Sequence, residues 1–326
     1  MSYITSPTSS QKHIDWSIAL GSPPSLRAKV IINPKAGAGS TARKWPYISR
    51  LLQRSGLLYD FEFTQVPGHA IEIAKSAADR GYGLIISVGG DGTTNEIANG
   101  LYQAGACMDV TLGIISTGTG RDYVRTAGIP RDYREACNRL TNPKKKVVDV
   151  GVIECFDNGR EVKRIFLNFA GLGIDSEITK ATTQTFKIMG CMPSYLLGVF
   201  TSLVRHKNKD ISLTIDGQTI RGRMADVLIC NGKYGGGSML PAPNADLADG
   251  LFDIMTIHDV SKPDLLWSLP RIYKGTHVTH PKVTMYRAKE IAISSPQGLL
   301  VQIDGDMVGE APVKISIMPQ ALRIAV

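Results

Sequence analysis

Three glycine-rich segments hold the residue types best suited to chemistry on a phosphate. They are Asn33–Ser40, Gly89–Glu96 and Ser116–Asp122, and each follows a short run of β-branched residues. Because glycine lacks a Cβ atom, the backbone amides of such a segment can approach phosphate oxygens closely. A helix after the segment adds free N–H groups and the positive end of its dipole. One segment alone could be a tight strand-to-helix turn with a capping aspartate, but three together predict an anion site.

None of the three segments is a common nucleotide fingerprint. Gly-Lys-Ser/Thr, which completes a Walker A motif, is absent, and so is a full Gly-x-Gly-x-x-Gly motif. The chain has no Gly-x-Ser-x-Gly elbow and its histidines lack metal-ligand spacing, which disfavours hydrolase and zinc-enzyme functions. The sequence therefore predicts a phosphate site of another kind.

The elements that would position these segments alternate between strand and helix up to about residue 115. The predicted strands are Val30–Ile32, Phe61–Thr64, Ile85–Val88 and Leu112–Ile115, and the predicted helices are about Arg43–Ser55, Ala70–Asp79 and Thr94–Ala104. This alternation predicts a parallel sheet covered on both faces. Ligands in such sheets bind at the carboxyl ends of the strands, so the three segments are expected to line one rim.

Beyond about Lys144 the pattern changes to strands joined by tight turns. Hairpin signals occur at Asp157-Asn158-Gly159, Asp216-Gly217 and Asp304-Gly305, and helices are expected at Glu177–Met189, Ser194–His206 and Pro263–Tyr273. This pattern predicts an antiparallel second domain. The 326 residues suffice for two cores. We expect a disordered leader at residues 1–26, an α/β domain at 27–146 and a β-rich domain at 147–326.

The composition indicates which binding partners and which cellular compartment to expect. The chain has 37 Lys and Arg against 29 Asp and Glu, a net charge of +8 that favours an anionic partner. The basic residues are dispersed and nucleic-acid-binding motifs are absent, so no nucleic-acid partner is expected. Five widely spaced cysteines without a C-x-x-C pair fit a reducing compartment. The longest apolar stretch, Tyr195–Val204, is about half of a bilayer span. We expect a cytoplasmic protein with transient, peripheral contact at the inner membrane face.

A longer series of motifs runs through the chain in order. It comprises Asn33-Pro34-x-x-Gly37, Gly89-Gly90-Asp91-Gly92-Thr93-x-Asn95-Glu96 with Asn99-Gly100-Leu101, Gly118-Thr119-Gly120-x-Asp122, Asn168-x-x-Gly171-x-Gly173 and the Asp304-Gly305 turn. The series resembles the diacylglycerol kinase catalytic family, and the bacterial soluble lipid kinases most closely, from Lys29 onward. The resemblance implies a Rossmann-like α/β domain of the NAD kinase and diacylglycerol kinase type, followed by an antiparallel β-sandwich domain. ATP and a lipid would meet in the cleft between them.

The resemblance also implies roles for individual residues. Those expected to contact ATP are Asn33, Thr64, Gly89, Gly90, Asp91, Gly92, Thr93, Thr94, Asn95, Gly118 and Thr119. Asp91, Asp122 and Asp149 match three carboxylates that organise Mg²⁺ and water beside the phosphates. From the residues alone, Asp122 could instead cap the following helix and Asp149 could merely end a strand.

The family also places a second, structural Mg²⁺ in the loop Leu240–Leu251. The implied ligands are the side chain of Asp249 and the backbone carbonyls of Asp246 and Leu251. Without the resemblance, an Asp-Gly turn before a strand is the better interpretation of this loop. A further loop, Asn231–Gly237, resembles the family's loop that faces the lipid site.

An attacking lipid hydroxyl must lose a proton, and Asp304, Asp306 and Asp91 are the catalytic candidates. Relatives usually have Asp-Gly-Glu where this chain has Asp304-Gly305-Asp306, so the second acid is one methylene shorter. A bridging water could absorb the difference, Asp304 could act directly, or catalysis could be impaired. Arg121 stands where relatives commonly have Asn, and it could contact phosphate or project into solvent.

The implied function is an ATP- and Mg²⁺-dependent lipid kinase that converts diacylglycerol to phosphatidic acid in phospholipid biosynthesis. A sphingoid base, phosphatidylglycerol or a polyisoprenoid alcohol fits the same motifs as the acceptor. The departures at Arg121 and Asp306 motivate one further alternative, a nucleotide- and lipid-binding regulator that has lost catalysis. Candidates for contact with anionic lipid are Arg205, His206, Lys207, Lys209 and Lys274. A homodimer is left open.

Overall fold

The computed structural model describes residues 27–189 and 200–326, with the side chains of residues 183–189 outside that description. The leader predicted at residues 1–26 lies outside the described residues. So do residues 195–199 of the apolar stretch and residues 194–199 of the helix predicted at Ser194–His206. Residues 200–205 of that helix are described and helical.

The first part of the chain forms the predicted parallel sheet, in the strand order β2-β1-β3-β4. Its strands are β1 (Ala28–Ile32), β2 (Tyr59–Phe63), β3 (Leu84–Gly89) and β4 (Thr111–Ser116). Its helices are α1 (Ser40–Arg54), α2 (His69–Asp79), α3 (Asp91–Gln103), α4 (Asp122–Ala127) and α5 (Tyr133–Arg139). Every residue of β1, β3 and β4 is buried, as expected for a sheet with helices on both faces.

Helix α3 begins three residues earlier than its sequence predicted. It starts at Asp91 rather than near Thr94, because Gly90 is extended and its carbonyl accepts the N–H of Thr94 at 3.1 Å. The sequence Asp91-Gly92 has low helix propensity, which hid this first turn. An acidic residue in the first turn is nevertheless favourable, since it faces the positive end of the helix dipole.

The second part of the chain is mostly antiparallel. Its strands are β5 (Lys145–Asp157), β6 (Arg160–Phe166), β7 (Phe169–Gly173), β8 (Lys209–Ile215), β9 (Gln218–Cys230), β10 (Phe252–His258), β11 (Val283–Ala288), β12 (Glu290–Ser294), β13 (Leu300–Ile303) and β14 (Asp306–Ala325). Two longer helices accompany them, α6 (Ile174–Met189) and α7 (Lys262–Lys274), and a 3₁₀ turn spans Thr276–Thr279. Within the described ranges, no helix combines the length and the apolar character needed to cross a bilayer.

All three predicted hairpins are confirmed. They join β5 to β6, β8 to β9 and β13 to β14. Asn158, Asp216 and Asp304 have positive φ angles of 48°, 43° and 48°, and each is followed by a glycine that also has positive φ. Two successive positive φ angles are the geometry of the tight turns preferred in hairpins, and Asn or Asp before Gly adopts them with little strain.

Strand β14 connects the two parts of the fold. It begins at the hairpin after Ile303, pairs with β13, β12 and β5 along its length, and ends beside β4 in parallel, with Ile324 opposite Leu112. Leu322 and Ile324 are fully buried in the core of the parallel sheet, although they lie near the end of the chain. A separate core, in which the rings of Phe166 and Phe252 stack at 5.6 Å, fills the β-rich part.

Two asparagines fasten helix α3 to strand β6. Asn95 and Asn99 are each 1% exposed, and the side-chain amide of each donates to the carbonyl of Ile165, at 3.1 and 2.9 Å. The N–H of Ile165 in turn donates to Asn99 Oδ1 at 2.9 Å. Asparagine is a poor residue for a helix interior, but here its amide satisfies buried backbone groups of another element.

Replacing Asn99 should therefore destabilise the fold measurably. In Asn99→Ala the buried N–H and carbonyl of Ile165 lose partners, which should lower the free energy of unfolding by about 1–3 kcal/mol. Chemical denaturation measures this change. The exposed helical Asn138 is the matched control, and Asn138→Ala should change stability by less than about 0.5 kcal/mol. Equal effects of the two variants would contradict this account of the interface.

Candidate active site

The three glycine segments meet at one rim of the parallel sheet, as predicted. The N–H groups of Thr117 and Gly118 both donate to the carbonyl of Gly89, at 2.8 and 3.1 Å. A Cβ atom on Gly118 would lie 2.5 Å from the Cα of Gly90, and one on Gly37 would lie 2.6 Å from the carbonyl oxygen of Thr117. Side chains at Gly37 and Gly118 would therefore push the segments apart, so glycine is needed for this close approach.

Several side chains of the rim hold the segments together. Asn33 Nδ2 donates to Thr93 Oγ1 at 3.0 Å, and the hydroxyls of Thr94 and Ser87 are 3.0 Å apart. Thr93 and Thr94 are 5% and 3% exposed. These side chains thus shape the rim, which leaves backbone N–H groups at the start of α3 as the groups best placed for an anion.

The remaining residues predicted to contact ATP also lie at this rim. Thr64 follows β2, and its N–H donates to the carbonyl of Ile32 at 2.8 Å. Thr119 is exposed at the tip of the third segment. Gly89 ends β3, while Gly92 and Asn95 lie in the first turns of α3. Contact of these residues with ATP stays a prediction.

Asp91 lies at the rim with two charged neighbours, Asp122 and Asp304. Its Oδ2 accepts the N–H of Asp122 at 3.2 Å, and a Cβ on Gly120 would lie only 3.0 Å from this oxygen. Burial, with the negative charges of Asp122 and Asp304, raises the pKa of Asp91 to about 6. A buried carboxylate beside further carboxylates favours the arrival of a cation.

Asp304 binds four donors at once. Its Oδ1 accepts the N–H groups of Asn168 and Phe169 at 2.9 and 3.0 Å. Its Oδ2 accepts the N–H of Leu167 and the side-chain amide of Asn95, each at 2.7 Å. Burial raises the pKa of Asp304, and these four hydrogen bonds oppose the rise. A carboxylate has about four acceptor positions, so the hydrogen bonds fill Asp304 completely.

Asp306 is the accessible carboxyl group of the same hairpin. Its side chain is 46% exposed, and its Oδ2 lies 3.6 Å from Nη2 of Arg164. The same Arg164 nitrogen donates to Asn95 Oδ1 at 3.3 Å, next to the second glycine segment. Burial raises the pKa of Asp306, and the charge of Arg164 lowers it. Arg164 was not predicted from the sequence, since an arginine in an alternating strand carries no distinguishing signal.

Asp122 and Asp149 both bind backbone N–H groups of loops. Asp122 Oδ1 and Oδ2 accept from Ser238 and Gly237, each at 2.8 Å. Asp149 is fully buried, and its two oxygens accept from Gln320 at 2.6 Å and Gly250 at 2.7 Å. Asp122 thus draws the loop that follows Asn231 towards Asp91, whereas Asp149 contacts the loop of the second predicted metal site. Their role in organising Mg²⁺ stays a prediction.

The second predicted metal site consists of short-range turns. Asp249 Oδ1 accepts the N–H of Leu251 and Asp246 Oδ1 accepts the N–H of Ala248, both at 3.1 Å. The other oxygen of Asp249 pairs with Arg287. Across residues 27–189 and 200–326, no group of three His, Cys, Asp or Glu side chains is arranged to hold a metal. A metal at this loop stays a prediction.

Arg121 has a role that neither sequence interpretation foresaw. Its backbone is left-handed, with φ 56°, and it precedes helix α4. Its guanidinium donates to the carbonyls of Gly118 and Arg131, at 3.0 and 3.3 Å. Arg121 therefore stabilises the third glycine segment, to which it belongs. The arginine that stands here in place of the family's asparagine thus helps to hold the rim.

Two buried polar atoms beside Asp304 have no partner among the described residues. They are the hydroxyl of Tyr123, which is 2% exposed, and Oδ1 of Asn168, which is 4% exposed. Burial and the charge of Asp304 raise the pKa of Tyr123. Buried polar atoms are normally satisfied, if not by protein then by water or an ion. These two atoms are therefore buried polar groups near Asp304 that remain available to a bound water or ion.

Two buried asparagines, Asn99 and Asn231, have structural roles that the sequence analysis did not predict. Asn231 Nδ2 donates to the carbonyls of Leu167 and Asp149, at 2.8 and 3.0 Å, and is itself fully buried. Asn99 has a similar function. An asparagine within or directly after an apolar run was the available signal, because a buried amide requires polar partners.

Comparisons with known proteins cover nearly the whole chain. A family model described as the diacylglycerol kinase catalytic domain matches residues 27–153, and one described as the YegS C-terminal NAD kinase β-sandwich-like domain matches residues 168–326. The diacylglycerol kinase of Staphylococcus haemolyticus is 30% identical over 286 residues, which cover 87% of this chain and 83% of that protein. The chain belongs to the diacylglycerol kinase family. The resemblance inferred from the motif series is thereby confirmed.

Further relatives agree with this assignment. The diacylglycerol kinase of Bacillus subtilis is 28% identical over 289 residues, covering 88% of this chain and 91% of that protein. The crystal structure of a putative diacylglycerol kinase from Bacillus anthracis superimposes with a TM-score of 0.72 at 27% identity, covering 92% of this chain and 97% of that one. The chain is thus an enzyme of the lipid kinase class with an α/β domain and a β-rich domain, and ATP is the phosphoryl donor that a kinase family implies.

The raised pKa of Asp91 predicts that the ionised side chain lowers the free energy of unfolding. Ionisation of this group destabilises the fold increasingly between its ordinary pKa of 3.8 and about 6, and by a constant amount above. Asp91→Asn removes that cost, so without nucleotide or divalent cation the variant should be more stable at pH 8, by at most about 3 kcal/mol. The advantage should disappear near pH 4. Thermal unfolding across this pH range measures the difference.

A destabilised Asp91→Asn at pH 8 would contradict the electrostatic account. The exposed carboxylate of Asp79, at the end of α2, provides the control. Asp79→Asn should change the melting temperature little, since surface substitutions away from specific contacts have small effects on stability.

Proposed function

We propose that the chain is an ATP- and Mg²⁺-dependent kinase that transfers the γ-phosphoryl group of ATP to the hydroxyl of diacylglycerol, yielding phosphatidic acid, ADP and a proton. One observation carries the proposal: Asn95, one turn into the helix that follows the glycine segment, donates to Asp304 of the β-rich domain. This contact holds an anion-binding rim and a hairpin of acids at one cleft, where donor and acceptor must meet. Relatives named diacylglycerol kinase support this acceptor.

The glycine rim is the proposed triphosphate site. Amides at the start of α3 face the phosphates, and the dipole of this helix favours their charge. The glycine segments around them contribute the rest of the site, namely Asn33, Thr64, Gly89 to Asn95, Gly118 and Thr119. Phosphoryl transfer needs little covalent help from a protein, so positioning of the phosphates is the main task of this rim.

The acids around Asp91 fit a hydrated Mg²⁺. Oxygen ligands and bound waters suit this ion, and Asp91, Asp122 and the unpartnered atoms of Tyr123 and Asn168 are all oxygen donors. When bound, Mg²⁺ neutralises charge on the β- and γ-phosphates. Asp149 is assigned the role of stabilising the surrounding loops. The second ion, at Asp246, Asp249 and Leu251, fits less well because Arg287 already pairs with Asp249, and no catalytic step is assigned to it.

Asp306 is the proposed base, and Asp304 is assigned a positioning role. A base needs a free lone pair within reach of the hydroxyl, and the four donors on Asp304 leave it none. Asp306 is nearly half exposed and is held near Asn95 through Arg164. In the transfer, the lipid oxygen forms a bond to the γ-phosphorus, the bond between the γ-phosphorus and the oxygen that bridges it to the β-phosphorus breaks, and ADP leaves. The hydroxyl proton moves to Asp306.

Membrane contact in this proposal is peripheral and cytoplasmic. Of the basic residues suggested by the sequence, His206 does not qualify, because it is 3% exposed and bonds Glu177 at 2.8 Å. Lys209 donates to the carbonyl of Gly298 at 3.0 Å. Arg205, Lys207 and Lys274 are exposed.

Two conservative variants separate the roles of the hairpin acids. Asp306→Asn should reduce kcat by about 100-fold or more, because it removes the base, while changing stability by less than about 0.5 kcal/mol. Asp304→Asn should destabilise the fold by about 2–4 kcal/mol, since one amide oxygen cannot satisfy four donors. Steady-state rates and denaturation curves are the measurements. An active Asp306→Asn would remove Asp306 from the mechanism.

The choice of acceptor is tested by labelled-phosphate transfer from [γ-³²P]ATP. In mixed micelles with Mg²⁺, diacylglycerol should give labelled phosphatidic acid, and a sphingoid base, phosphatidylglycerol and a polyisoprenoid alcohol should give at least about tenfold less product. Product from another lipid would replace the acceptor and keep the kinase. Absence of product from every lipid, with folded protein that binds ATP, would sink the proposal.

A further inference from the structure

We propose that the outer face of helix α7, centred on Trp267, docks this kinase on an anionic lipid bilayer. The inference rests on the proposed function, because a long-chain acceptor resides in a membrane. The α7 face comprises Leu266, Trp267, Pro270 and Tyr273. Trp267 is 83% exposed, Tyr273 54% and Leu266 42%. Among the exposed large hydrophobic side chains of the described residues, Trp267 has the highest exposure.

Helix α7 is well terminated although none of its residues is buried. Ser261 Oγ accepts the N–H of Asp264 at 3.4 Å at the start, and Gly275 ends the helix with φ 68°. Its inner face, which includes Leu265, Leu269 and Ile272, is half-buried over β10 and β11. The fold thus uses the inner apolar residues of α7 and leaves the outer ones in water, which is costly unless another surface covers them.

The charges around the α7 face match an anionic surface. Lys262 lies at the start of the helix, and Arg271 and Lys274 lie in its last turn. The acid of this helix, Asp264, faces His280 at 3.2 Å and is drawn away from the outer face. An exposed tryptophan flanked by lysine and arginine is typical of helices that lie in the interface of a bilayer.

Contacts with residues 200–205 enlarge the same surface. Lys262 Nζ donates to the carbonyl of Val204, which joins the start of α7 to that helical segment. Val204 is 51% exposed and Phe200 54% exposed, and Arg205 beside them is exposed too. A second apolar and basic element therefore lies next to the first turn of α7.

The C-terminal end of α7 is connected to the candidate active site. The carbonyl of Ile272 accepts the N–H of Leu240 at 2.9 Å. Leu240 lies two residues after Ser238, whose N–H Asp122 binds at 2.8 Å. One short loop thus links the docking helix to the acids beside the phosphate rim. Docking through α7 would place this loop, and the cleft behind it, at the membrane surface that supplies the acceptor.

The test compares Trp267→Glu with a matched control, Tyr47→Glu, on vesicles of phosphatidylcholine and phosphatidylglycerol. Tyr47 is a 60% exposed aromatic residue on α1. Trp267→Glu should lower the vesicle partition coefficient, measured by sedimentation, by about tenfold or more, because a charge replaces the apolar anchor. Tyr47→Glu should sediment like the parent. Binding of the parent should weaken as salt rises, since basic residues contribute.

Activity distinguishes docking from the proposed reaction. With long-chain diacylglycerol in these vesicles, Trp267→Glu should lose kcat/KM in proportion to its lost binding, whereas its rate on a water-soluble short-chain diacylglycerol should equal that of the parent. Equal loss on both substrates, or vesicle binding like the parent, would overturn the docking role. So would a change from dimer to monomer on gel filtration with unchanged vesicle binding, because a second copy would then cover α7. A parent that binds vesicles yet phosphorylates no lipid would overturn the proposed function alone.

Discussion

The Asp304 carboxylate is the interaction on which the cleft depends. It accepts three successive backbone N–H groups, from Leu167 to Phe169, and the amide of Asn95. Three of these donors belong to the β-rich domain and one belongs to the helix that follows the second glycine segment. A buried charge is tolerated only when its hydrogen-bonding capacity is filled, and here the filling groups come from both domains. The hydrogen-bonding requirement of one side chain therefore links the glycine rim to the acidic hairpin.

Strand β14 also connects the two sides of this cleft through the backbone. It begins two residues after Asp304 and ends in the parallel sheet, where Ile324 lies opposite Leu112. The hairpin that carries the candidate base is thus attached to the α/β core by a continuous strand. Asn95 and Asn99 add a second attachment, from helix α3 to strand β6. The two parts of the fold are thus joined at several points beside the candidate site, which favours a preorganised arrangement.

The site also concentrates negative charge, which is expected to lower the stability of the free protein. Asp91 has its pKa raised to about 6 by burial and by the charges of Asp122 and Asp304. Active sites commonly retain such unfavourable groups because a ligand relieves them. The exposed apolar face of α7 is unfavourable for a similar reason, because its side chains are in contact with water. In the proposed docking, a membrane surface would remove them from water. Both features indicate parts of the molecule that are completed by other molecules.

The sequence by itself determined the local features of the protein. The parallel strands and the three Asx-Gly hairpins follow from short-range sterics and periodicity, and the three glycine-rich segments were visible as motifs. The ordered motif series added the family. Only the tertiary structure decided that Asp304 is saturated, that Arg121 braces its own loop and that Arg164 reaches Asp306. These assignments depend on partners far apart in the chain, such as Asn95 and Asp304, which are separated by 209 positions. Local propensity carries no information on which distant groups will fill a carboxylate, because that choice is made by the packing of whole elements.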